Sequence, residues 1–251
     1  MFNPFSLEGK RILVTGASSG IGRSVAIACS KMGAQMVLNG RNQERLDETL
    51  SMLEGDGHVV LAADLTSQQE MDSMVERIPA LNGLVHCAGL LFMSAVKHLD
   101  SSTVKRIIDT NQTPAILLVS GLLKKKKIQK GSSIVLVASI SGVYVSNIGE
   151  ALYSATKGAL SGFAKGAALE LAAQGIRVNT ICPGIVETPL LRNSNEWFSD
   201  DEKVKTVLAR YPLKCFGSPE DIANGAVFLL SSASRWITGI NLLIDGGYCL
   251  V

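Results

Sequence analysis

The amino-acid sequence predicts an α/β fold in which a doubly wound parallel sheet carries helices on both faces, in a single domain over residues 1–251. Two observations predict it. Short apolar segments rich in β-branched residues alternate with amphipathic segments along the whole chain, as in repeated strand–helix–strand units. The apolar segments are almost uninterrupted, which is typical of parallel strands that helices cover on both faces.

Seven segments are predicted as the strands of this sheet. They are 11–15, 35–39, 58–62, 83–87, 133–138, 176–181 and 240–244. The helices predicted between and after them are 20–32, 42–53, 67–78, 101–122, 151–174 and 219–231. Lengths of roughly 10–20 residues are those of ordinary globular helices.

One long segment, 185–217, follows the sixth strand and has no predicted regular structure. It mixes polar residues with Trp197, Phe198, Tyr211 and Phe216. Extended connections at the carboxyl ends of strands are where open α/β sheets bind their ligands. The segment is therefore predicted to be the substrate loop.

The composition excludes several classes of protein. Hydrophobic residues make up 47% and charged residues 18%, so the chain can bury a large core and disorder is not expected. A net charge of +2 gives no general indication of a nucleic-acid or membrane-surface partner, and no apolar run is long enough to cross a bilayer. No signal peptide is recognised at the N-terminus. The five scattered cysteines, without CxxC spacing, indicate a reduced protein without a metal site, so the cytoplasm is the expected location.

A glycine-rich turn, TGASSGIG at 15–22, follows the first strand directly and begins the first helix. Glycines permit a tight turn and close approach of the backbone, and a helix N-terminus offers free N–H groups to a pyrophosphate. The spacing differs from G-x-G-x-x-G, and the alternative is a simple glycine turn. The residues predicted to bind the pyrophosphate are Gly16, Ser18, Ser19, Gly20, Ile21 and Gly22.

The end of the second strand indicates which nicotinamide cofactor the chain prefers. The segment NGRN at 39–42 carries Arg41 and no acidic residue. A carboxylate there would repel a ribose 2′-phosphate, whereas a guanidinium attracts it, so NADP(H) is favoured over NAD(H). The alternative is that Arg41 is only a solvated residue at a helix N-terminus. Asp64, after the third strand, is placed either to accept a hydrogen bond from an adenine amino group or to cap the next helix.

Taken in order along the chain, the motifs resemble those of the short-chain dehydrogenase/reductase family. They are TGASSGIG, Asp64, Asn111, Ser139, Tyr153 with Lys157, Pro183–Gly184, and the C-terminal phrases at 212–232 and 237–248. The resemblance covers essentially the whole chain and is strongest to the 3-oxoacyl-[acyl-carrier-protein] reductase-like branch. It implies a Rossmann-type sheet of seven parallel strands, a nicotinamide cofactor and, usually, a homotetramer.

One motif departs from the family pattern. The family usually carries Asn-Asn-Ala-Gly after the fourth strand, whereas this chain carries His86-Cys87-Ala88-Gly89. Since the asparagines brace the sheet and border the adenosine ribose, the departure puts local stability or cofactor affinity in question. His86 has no accompanying ligand residues in sequence, so we expect a hydrogen-bonded structural histidine rather than a metal ligand or an acid–base group.

Tyr153 and Lys157 are four residues apart and share one face of the helix predicted at 151–174. An ammonium near a phenol lowers the pKa of the phenol, while burial raises it. A pKa lowered toward neutrality suits a general acid that protonates an alkoxide. The alternative is an ordinary helix surface with an exposed lysine and a tyrosine packed at its edge.

The resemblance assigns roles to the remaining site residues. It implies proton transfer by Tyr153, contact of Lys157 with the nicotinamide ribose, a bond from Ser139 to the substrate carbonyl oxygen, and a water held by Asn111. It also implies that the hydroxyl of Thr188 caps the nicotinamide carboxamide. The other cofactor contacts expected are Leu65, Ala88, Gly89, Pro183, Gly184 and Val186.

The lysine run KKKKIQK at 124–130 has two interpretations. It is either a helix C-terminus whose lysines complement the helix dipole or a docking patch for acyl carrier protein.

As a whole, the sequence predicts an NADPH-dependent carbonyl reductase acting on a ketone, with a 3-oxoacyl thioester as the leading substrate class. The alternatives are a sugar, polyol or steroid alcohol dehydrogenase and, in another class, a non-catalytic dinucleotide-binding sensor or scaffold.

Overall fold

The computed structural model describes residues 3–189, 191 and 200–250, so the predicted loop residues Trp197 and Phe198 lie outside the described part. Seven parallel strands form one sheet in the order β3-β2-β1-β4-β5-β6-β7. The strands are β1 (Arg11–Thr15), β2 (Gln35–Gly40), β3 (Val59–Ala62), β4 (Leu81–His86), β5 (Ile128–Val137), β6 (Arg177–Pro183) and β7 (Asn241–Ile244). The predicted doubly wound, Rossmann-type sheet is confirmed.

Eight α-helices lie within the described residues. They are α1 (Gly20–Lys31), α2 (Gln43–Ser51), α3 (Gln68–Arg77), α4 (Ser101–Asn111), α5 (Thr113–Lys124), α6 (Ala151–Leu171), α7 (Asp201–Ala209) and α8 (Pro219–Leu230). No helix among these is long and apolar enough to cross a membrane.

Alternating residues of the strands supply two separate cores. Along β1, Leu13 packs in a core with α3, α5 and α6, while Ile12 and Val14 pack in a second core with α1, α2 and α8. All three side chains are fully buried. This two-sided burial is the physical reason that the strand sequences are almost continuously apolar.

The predicted helix at 101–122 is two helices, which meet at Gln112. Pro114 lies in the first turn of α5, has no N–H to donate to the carbonyl four residues earlier, and cannot continue α4. A proline inside an otherwise helical pattern is thus the signal that the single-helix prediction overlooked. The break leaves Asn111 as the last residue of α4.

The predicted loop at 185–217 contains a helix that the sequence reading missed. Asp200 caps α7 by accepting from the backbone N–H groups of Glu202 and Lys203, each at 3.2 Å. The acidic run that follows Asp200 complements the N-terminal end of the helix dipole. An N-cap aspartate followed by acidic residues was the local signal for this helix.

The interpretation of the lysine run as a helix C-terminus is confirmed for Lys124, the last residue of α5, and for Lys125, its C-cap, whereas the rest of the run lies beyond the helix. Lys125 forms an ion pair with Glu76, at the end of α3. Lys127 Nζ donates to the carbonyls of Glu76 at 2.8 Å and Ile78 at 2.7 Å, and therefore caps the C-terminus of α3 instead. The run continues into the first residues of β5.

Candidate active site

The candidate site lies at the carboxyl edge of the sheet, where the strand order reverses between β1 and β4. Open α/β sheets bind ligands at this switch point. A cavity of about 330 Å³ opens there. The predicted site residues that line it are Ile21, Gly89, Ser139, Tyr153, Lys157, Pro183, Gly184, Val186 and Thr188.

The loop after β5 packs directly against the first turn of α6 and thereby brings Ser139 to Tyr153. Gly142 adopts a φ of +87°, and a Cβ on it would lie 2.0 Å from the carbonyl oxygen of Ser154. Only glycine fits this approach. The hydroxyl of Ser139 and the phenol of Tyr153 thus line the same cavity, and the hydroxyl acts to lower the pKa of the phenol against the larger effect of burial.

The pKa of Tyr153 is raised to about 12, chiefly by burial, and the carboxylate of Glu150 raises it further. The predicted lowering by Lys157 is wrong. Lys157 Nζ lies 5.9 Å from the centroid of the Tyr153 ring and donates at 3.0 Å to the carbonyl oxygen of Val137. Because desolvation penalises the phenolate, the phenol holds its proton at neutral pH.

Lys157 is itself buried, and burial lowers the pKa of its ammonium to about 8. Within the described part of the chain, only one of its three N–H groups has an acceptor, the carbonyl of Val137. Two donors of a buried cation are therefore open to a ligand beside Tyr153.

Ser139 is buried, and its hydroxyl oxygen accepts from the N–H of Ser141 at 3.1 Å. That bond uses a lone pair and not the hydroxyl proton, so Ser139 can still donate to an oxygen in the cavity.

Asn111 is fully buried beneath the cavity and does not line it. Its Oδ1 accepts from the N–H of Leu90 at 2.8 Å and its Nδ2 donates to the carbonyl of Leu90 at 2.9 Å. A Cβ on the adjacent Gly89 would lie 3.2 Å from Asn111 Oδ1 and 3.4 Å from Lys157 Nζ. The side chain of Asn111 thus fixes the segment beside Lys157. That Asn111 binds a water stays a prediction, and because its side chain is occupied, the backbone of Asn111 at the α4–α5 break would have to bind that water.

The glycine turn forms a backbone cradle. Gly16 has a φ of +66°, and a Cβ on Gly22 would lie 2.2 Å from the Gly16 carbonyl oxygen. Ser19 is the N-cap of α1 without a side-chain cap bond, and the first turn of α1 contains no acidic residue. The N-terminal N–H groups of α1 and its dipole are thus available to an anion, which fits a dinucleotide pyrophosphate.

Two further segments border this cradle. A Cβ on Gly20 would lie 3.3 Å from Cγ2 of Thr188, so the loop after β6 lies against the glycine turn. A Cβ on Gly40 would lie 3.5 Å from the hydroxyl of Ser18, so the end of β2 also lies against the glycine turn. Ala88 lies beside Gly16, where a Cβ would meet its backbone nitrogen at 3.0 Å.

The ends of β2 and β3 carry Arg41 and Asp64. Arg41 is exposed, and its Nη1 lies 3.9 Å from Asp64 Oδ2. Asp64 accepts from the N–H and the hydroxyl of Thr66 at 2.9 and 2.8 Å. Burial raises the pKa of Asp64, but the bonds from Thr66 and the charge of Arg41 outweigh it and lower the pKa overall.

Asp64 is not a helix cap, because α3 begins after Ser67, whose side chain accepts from Glu70 N–H. The capping alternative for Asp64 is therefore wrong. Leu65 is buried in the core, so only its backbone can border a cofactor.

Comparison with known proteins decides the family. The family model described as Enoyl-(Acyl carrier protein) reductase matches residues 16–249. The chain is 33% identical to the 3-oxoacyl-[acyl-carrier-protein] reductase of Rickettsia bellii, over 98% of this chain and 99% of that protein. It belongs to the short-chain dehydrogenase/reductase family. As a member, it is an oxidoreductase that uses a nicotinamide dinucleotide and acts on CH–OH or C=O groups.

Other relatives in this family have different names. The glucose 1-dehydrogenase of Gluconobacter oxydans is 32% identical, over 96% of this chain and 92% of that protein. A solved structure assigned to a gluconate dehydrogenase of Agrobacterium tumefaciens has a TM-score of 0.91 at 30% identity, and the match covers 100% of both chains. Another, assigned to a 2-deoxy-D-gluconate 3-dehydrogenase of that organism with bound NADP, has a TM-score of 0.87 at 30% identity and 100% coverage of both chains.

His86 stands where the family usually has asparagine, and the prediction that its ring is hydrogen-bonded is half right. The hydroxyl of Thr15 accepts from the N–H groups of Cys87 and Ala88, so its proton is left to donate to His86 Nδ1 at 3.0 Å. His86 Nε2 is buried and has no partner among the described residues. Burial and the charge of Lys157 lower the pKa of His86 to about 3, so the ring is neutral.

The far wall of the cavity consists of residues that were not predicted individually, although two of them, Arg210 and Tyr211, lie in the predicted substrate loop. They are Asn147, Glu150, Arg210, Tyr211 and Tyr248. Glu150 Oε2 accepts from the Ser141 hydroxyl at 2.7 Å and from Asn147 Nδ2 at 3.0 Å. No sequence spacing links these residues, because they come from the loops before α6, after α7 and after β7.

Proposed function

We propose that the chain is an NADPH-dependent carbonyl reductase in which Tyr153 is the proton donor. One observation carries the proposal: a protonated phenol, a free hydroxyl donor and a buried ammonium meet in one cavity beside the glycine cradle. These groups belong to Tyr153, Ser139 and Lys157.

The proposed reaction begins with a ketone oxygen held between Ser139 and Tyr153. When bound, the reduced nicotinamide supplies the hydride to the carbonyl carbon. The two hydroxyls donate to the oxygen as negative charge develops on it, in the manner of an oxyanion site. The phenol proton of Tyr153 then passes to that oxygen and gives the alcohol.

Lys157 is proposed to bind the cofactor. Its two N–H groups without an acceptor among the described residues suit the hydroxyls of the nicotinamide ribose. With a pKa of about 8, the lysine carries its charge at neutral pH and below.

NADPH is proposed as the preferred cofactor on the basis of Arg41. Arg41 is exposed and directly follows Gly40, which lies against Ser18, and no acidic residue lies at 39–42. The long 3.9 Å contact with Asp64 leaves it free to bind a 2′-phosphate with paired donors. The presence of NADP in the structure of a relative is consistent with this.

A 3-oxoacyl thioester is the proposed substrate, on the basis of the reductases of this name among the relatives. Acyl carrier protein is a proposed partner, and a homotetramer is the proposed assembly by analogy with the family. The lysine run is poorly placed as the docking patch. It ends within the first residues of β5, whereas Ser139 follows β5, and the remainder of the strand separates them by roughly 30 Å.

This placement gives a test of the docking interpretation. The variant K124A/K126A/K130A avoids Lys125 and Lys127, whose side chains bind α3. We expect its turnover of acetoacetyl-acyl carrier protein to stay within about two-fold of wild type, because the charges are remote and surface-exposed. A selective loss with the carrier-bound substrate, but not with acetoacetyl-CoA, would restore the lysine run as the docking patch.

Sugar or sugar-acid oxidation is the second candidate function. The relatives named glucose 1-dehydrogenase and gluconate dehydrogenase support it, as does the polar far wall with Glu150 and Asn147. A non-catalytic dinucleotide sensor is the least supported, because it would not need a protonated phenol in the same cavity as Ser139.

The test is a screen of NADPH oxidation against acetoacetyl thioesters, diketones, steroids and sugar ketones, with the reverse reaction run on glucose and gluconate. Tyr153→Phe is the control in every assay. Reduction of an acetoacetyl thioester that depends on Tyr153 supports the proposal. Turnover confined to sugars favours the second candidate, and NADPH binding without any turnover favours the sensor.

A further inference from the structure

We propose that Arg210 is an anion-binding subsite at the outer end of the cavity, so that the natural substrate carries a carboxylate or a phosphate away from its reacting carbon. The inference rests on the proposed function in that it takes the cavity to hold a carbonyl substrate.

Arg210 is an exposed residue whose guanidinium lies over a buried aromatic ring at the cavity. It is the C-cap residue of α7 and lines the cavity, and its guanidinium lies 4.5 Å from the centroid of the Tyr248 ring. Tyr248 is buried, donates from its hydroxyl to Asn147 Oδ1 at 3.2 Å, and packs against Tyr211 with ring centroids 5.0 Å apart. The guanidinium is thus stacked on a ring that is itself fixed.

Stacking occupies only the face of the guanidinium. Its N–H groups lie in the plane of the guanidinium. One of them acts on the phenol of Tyr248, where it opposes the larger effect of burial on the pKa, and the others can donate to a ligand as a fork. Across residues 3–189, 191 and 200–250, no carboxylate forms an ion pair with Arg210, whereas Lys203 and Lys205 of the same helix pair with Asp200 and Glu202.

Among the described residues that line the cavity there is one carboxylate, and it does not neutralise Arg210 either. Glu150 is occupied by the hydroxyl of Ser141 and the side chain of Asn147. Lys157, the other cation of the cavity, already donates to Val137 and is the proposed ribose contact. An unpaired, oriented guanidinium therefore lies at the rim, and a bidentate carboxylate or phosphate is its natural complement.

That anion has two sources, a free keto acid or the phosphate of a thioester carrier. The experiment uses acetoacetate, levulinate and 5-oxohexanoate with their methyl esters, and acetoacetyl-CoA beside a phosphate-free acetoacetyl thioester of N-acetylcysteamine. The variants are Arg210→Met and, as a matched loss of charge on the same helix but outside the cavity, Lys205→Met.

In Arg210→Met we expect the kcat/KM ratio of the best anionic substrate to its neutral counterpart to fall about ten-fold or more, as for loss of charge-assisted hydrogen bonds. Lys205→Met is expected to leave the ratio at its wild-type value. A loss with keto acids assigns the site to a carboxylate, and a loss confined to acetoacetyl-CoA assigns it to a phosphate. Equal losses on charged and neutral substrates, or none, overturn the subsite.

A binding measurement separates this inference from the proposed reaction. Calorimetric titration of the keto acids and of coenzyme A into the NADP⁺ complex needs no turnover. If wild type turns over no ketone but binds one of these anions in an Arg210-dependent manner, the subsite stands and the reductase proposal fails. If ketones are reduced and binding does not depend on Arg210, only the subsite fails. Arg210→Lys, which keeps the charge and removes the fork, is expected to lie between the two.

Discussion

The two walls of the cavity are built in different ways. The cofactor wall, residues 15–22 with 87–89, is shaped by backbone, and a single added carbon at Gly16 or Gly22 would collide with neighbouring main-chain atoms. The far wall, formed by Glu150, Arg210, Tyr211 and Tyr248, is shaped by side chains from three distant segments.

This difference assigns the two walls different functions. A backbone cradle binds a group common to all nicotinamide dinucleotides, so its requirements are steric and allow little change. A wall of side chains can change its charge and shape without disturbing the sheet, and so determines which substrate enters. Relatives at about the same identity carry names of acyl-thioester and sugar enzymes, which is consistent with a constant cofactor wall and a variable far wall.

The largest effect is expected at Tyr153, which lies between the walls. Tyr153→Phe removes one hydroxyl from a buried ring and should lower kcat by about 10²–10⁴-fold, as for loss of a general acid. The dissociation constant for NADPH, measured by fluorescence titration, should stay within about three-fold, because the cradle is unchanged. Retention of more than a tenth of wild-type kcat would remove Tyr153 as the proton donor.

The next largest effect tests the cofactor wall directly. Gly22→Ala would place a Cβ 2.2 Å from the Gly16 carbonyl oxygen, and we expect it to cost about 3 kcal/mol or more of unfolding free energy, or to abolish NADPH binding. Gly162→Ala is the matched control, since a Cβ there meets nothing within 4 Å in the exposed face of α6. The control should stabilise the protein by about 0.5–1 kcal/mol in denaturant unfolding. Normal binding and stability in Gly22→Ala would show that the cradle is not sterically constrained.

The contrast between the walls also explains what could be predicted from sequence. All seven strands and the glycine turn were predicted, because strand burial and tight turns are local properties that repeat at fixed spacing. The placement of Ser139 beside Tyr153 agrees with the family resemblance. Arg210 and Tyr248 were missed, because their meeting depends on how the segments after β6 and β7 fold over the cavity.

Interactions inside the site were predicted less well than positions. The spacing of Tyr153 and Lys157 correctly indicates a shared helix face, but not that the ammonium turns to Val137 and leaves burial to dominate the pKa of the phenol. Likewise, the sequence shows His86 at a strand end, while the hydroxyl of Thr15 determines which ring nitrogen is satisfied. Such interactions depend on side-chain orientation and on burial, which the spacing of residues in the sequence does not specify.

A smaller effect is expected at the adenosine end of the cofactor wall. Arg41→Ala should raise the dissociation constant for NADPH about ten-fold or more and leave that for NADH nearly unchanged, because only NADPH carries the 2′-phosphate. Asp64→Ala is the matched change, since an adenine contact is common to both cofactors and its loss should weaken both alike. Isothermal titration with the two cofactors measures both ratios. Equal weakening of NADPH and NADH in Arg41→Ala would contradict the phosphate contact.

The smallest effect tests whether the far wall influences the proton donor. The carboxylate of Glu150 raises the pKa of Tyr153, so Glu150→Gln, which removes the charge and keeps an acceptor oxygen, should make the phenolate easier to form. The midpoint of tyrosinate formation in ultraviolet titration, about 12 for Tyr153 in the wild type, should therefore move down by about one unit or less.

The midpoint of Tyr153 is obtained by subtracting the titration curve of Tyr153→Phe from that of the wild type. The same subtraction is made in the Glu150→Gln background, and the two midpoints are compared. Glu170→Gln, an exposed change on the same helix α6, is the control and should leave the midpoint unchanged. A midpoint that stays fixed in Glu150→Gln would mean that the two walls are electrostatically independent, and one that rises would contradict the stated effect of the carboxylate. A downward shift would mean that a substrate anion bound on the far wall also raises the pKa of the phenol, and so links substrate charge to the protonation of the donor.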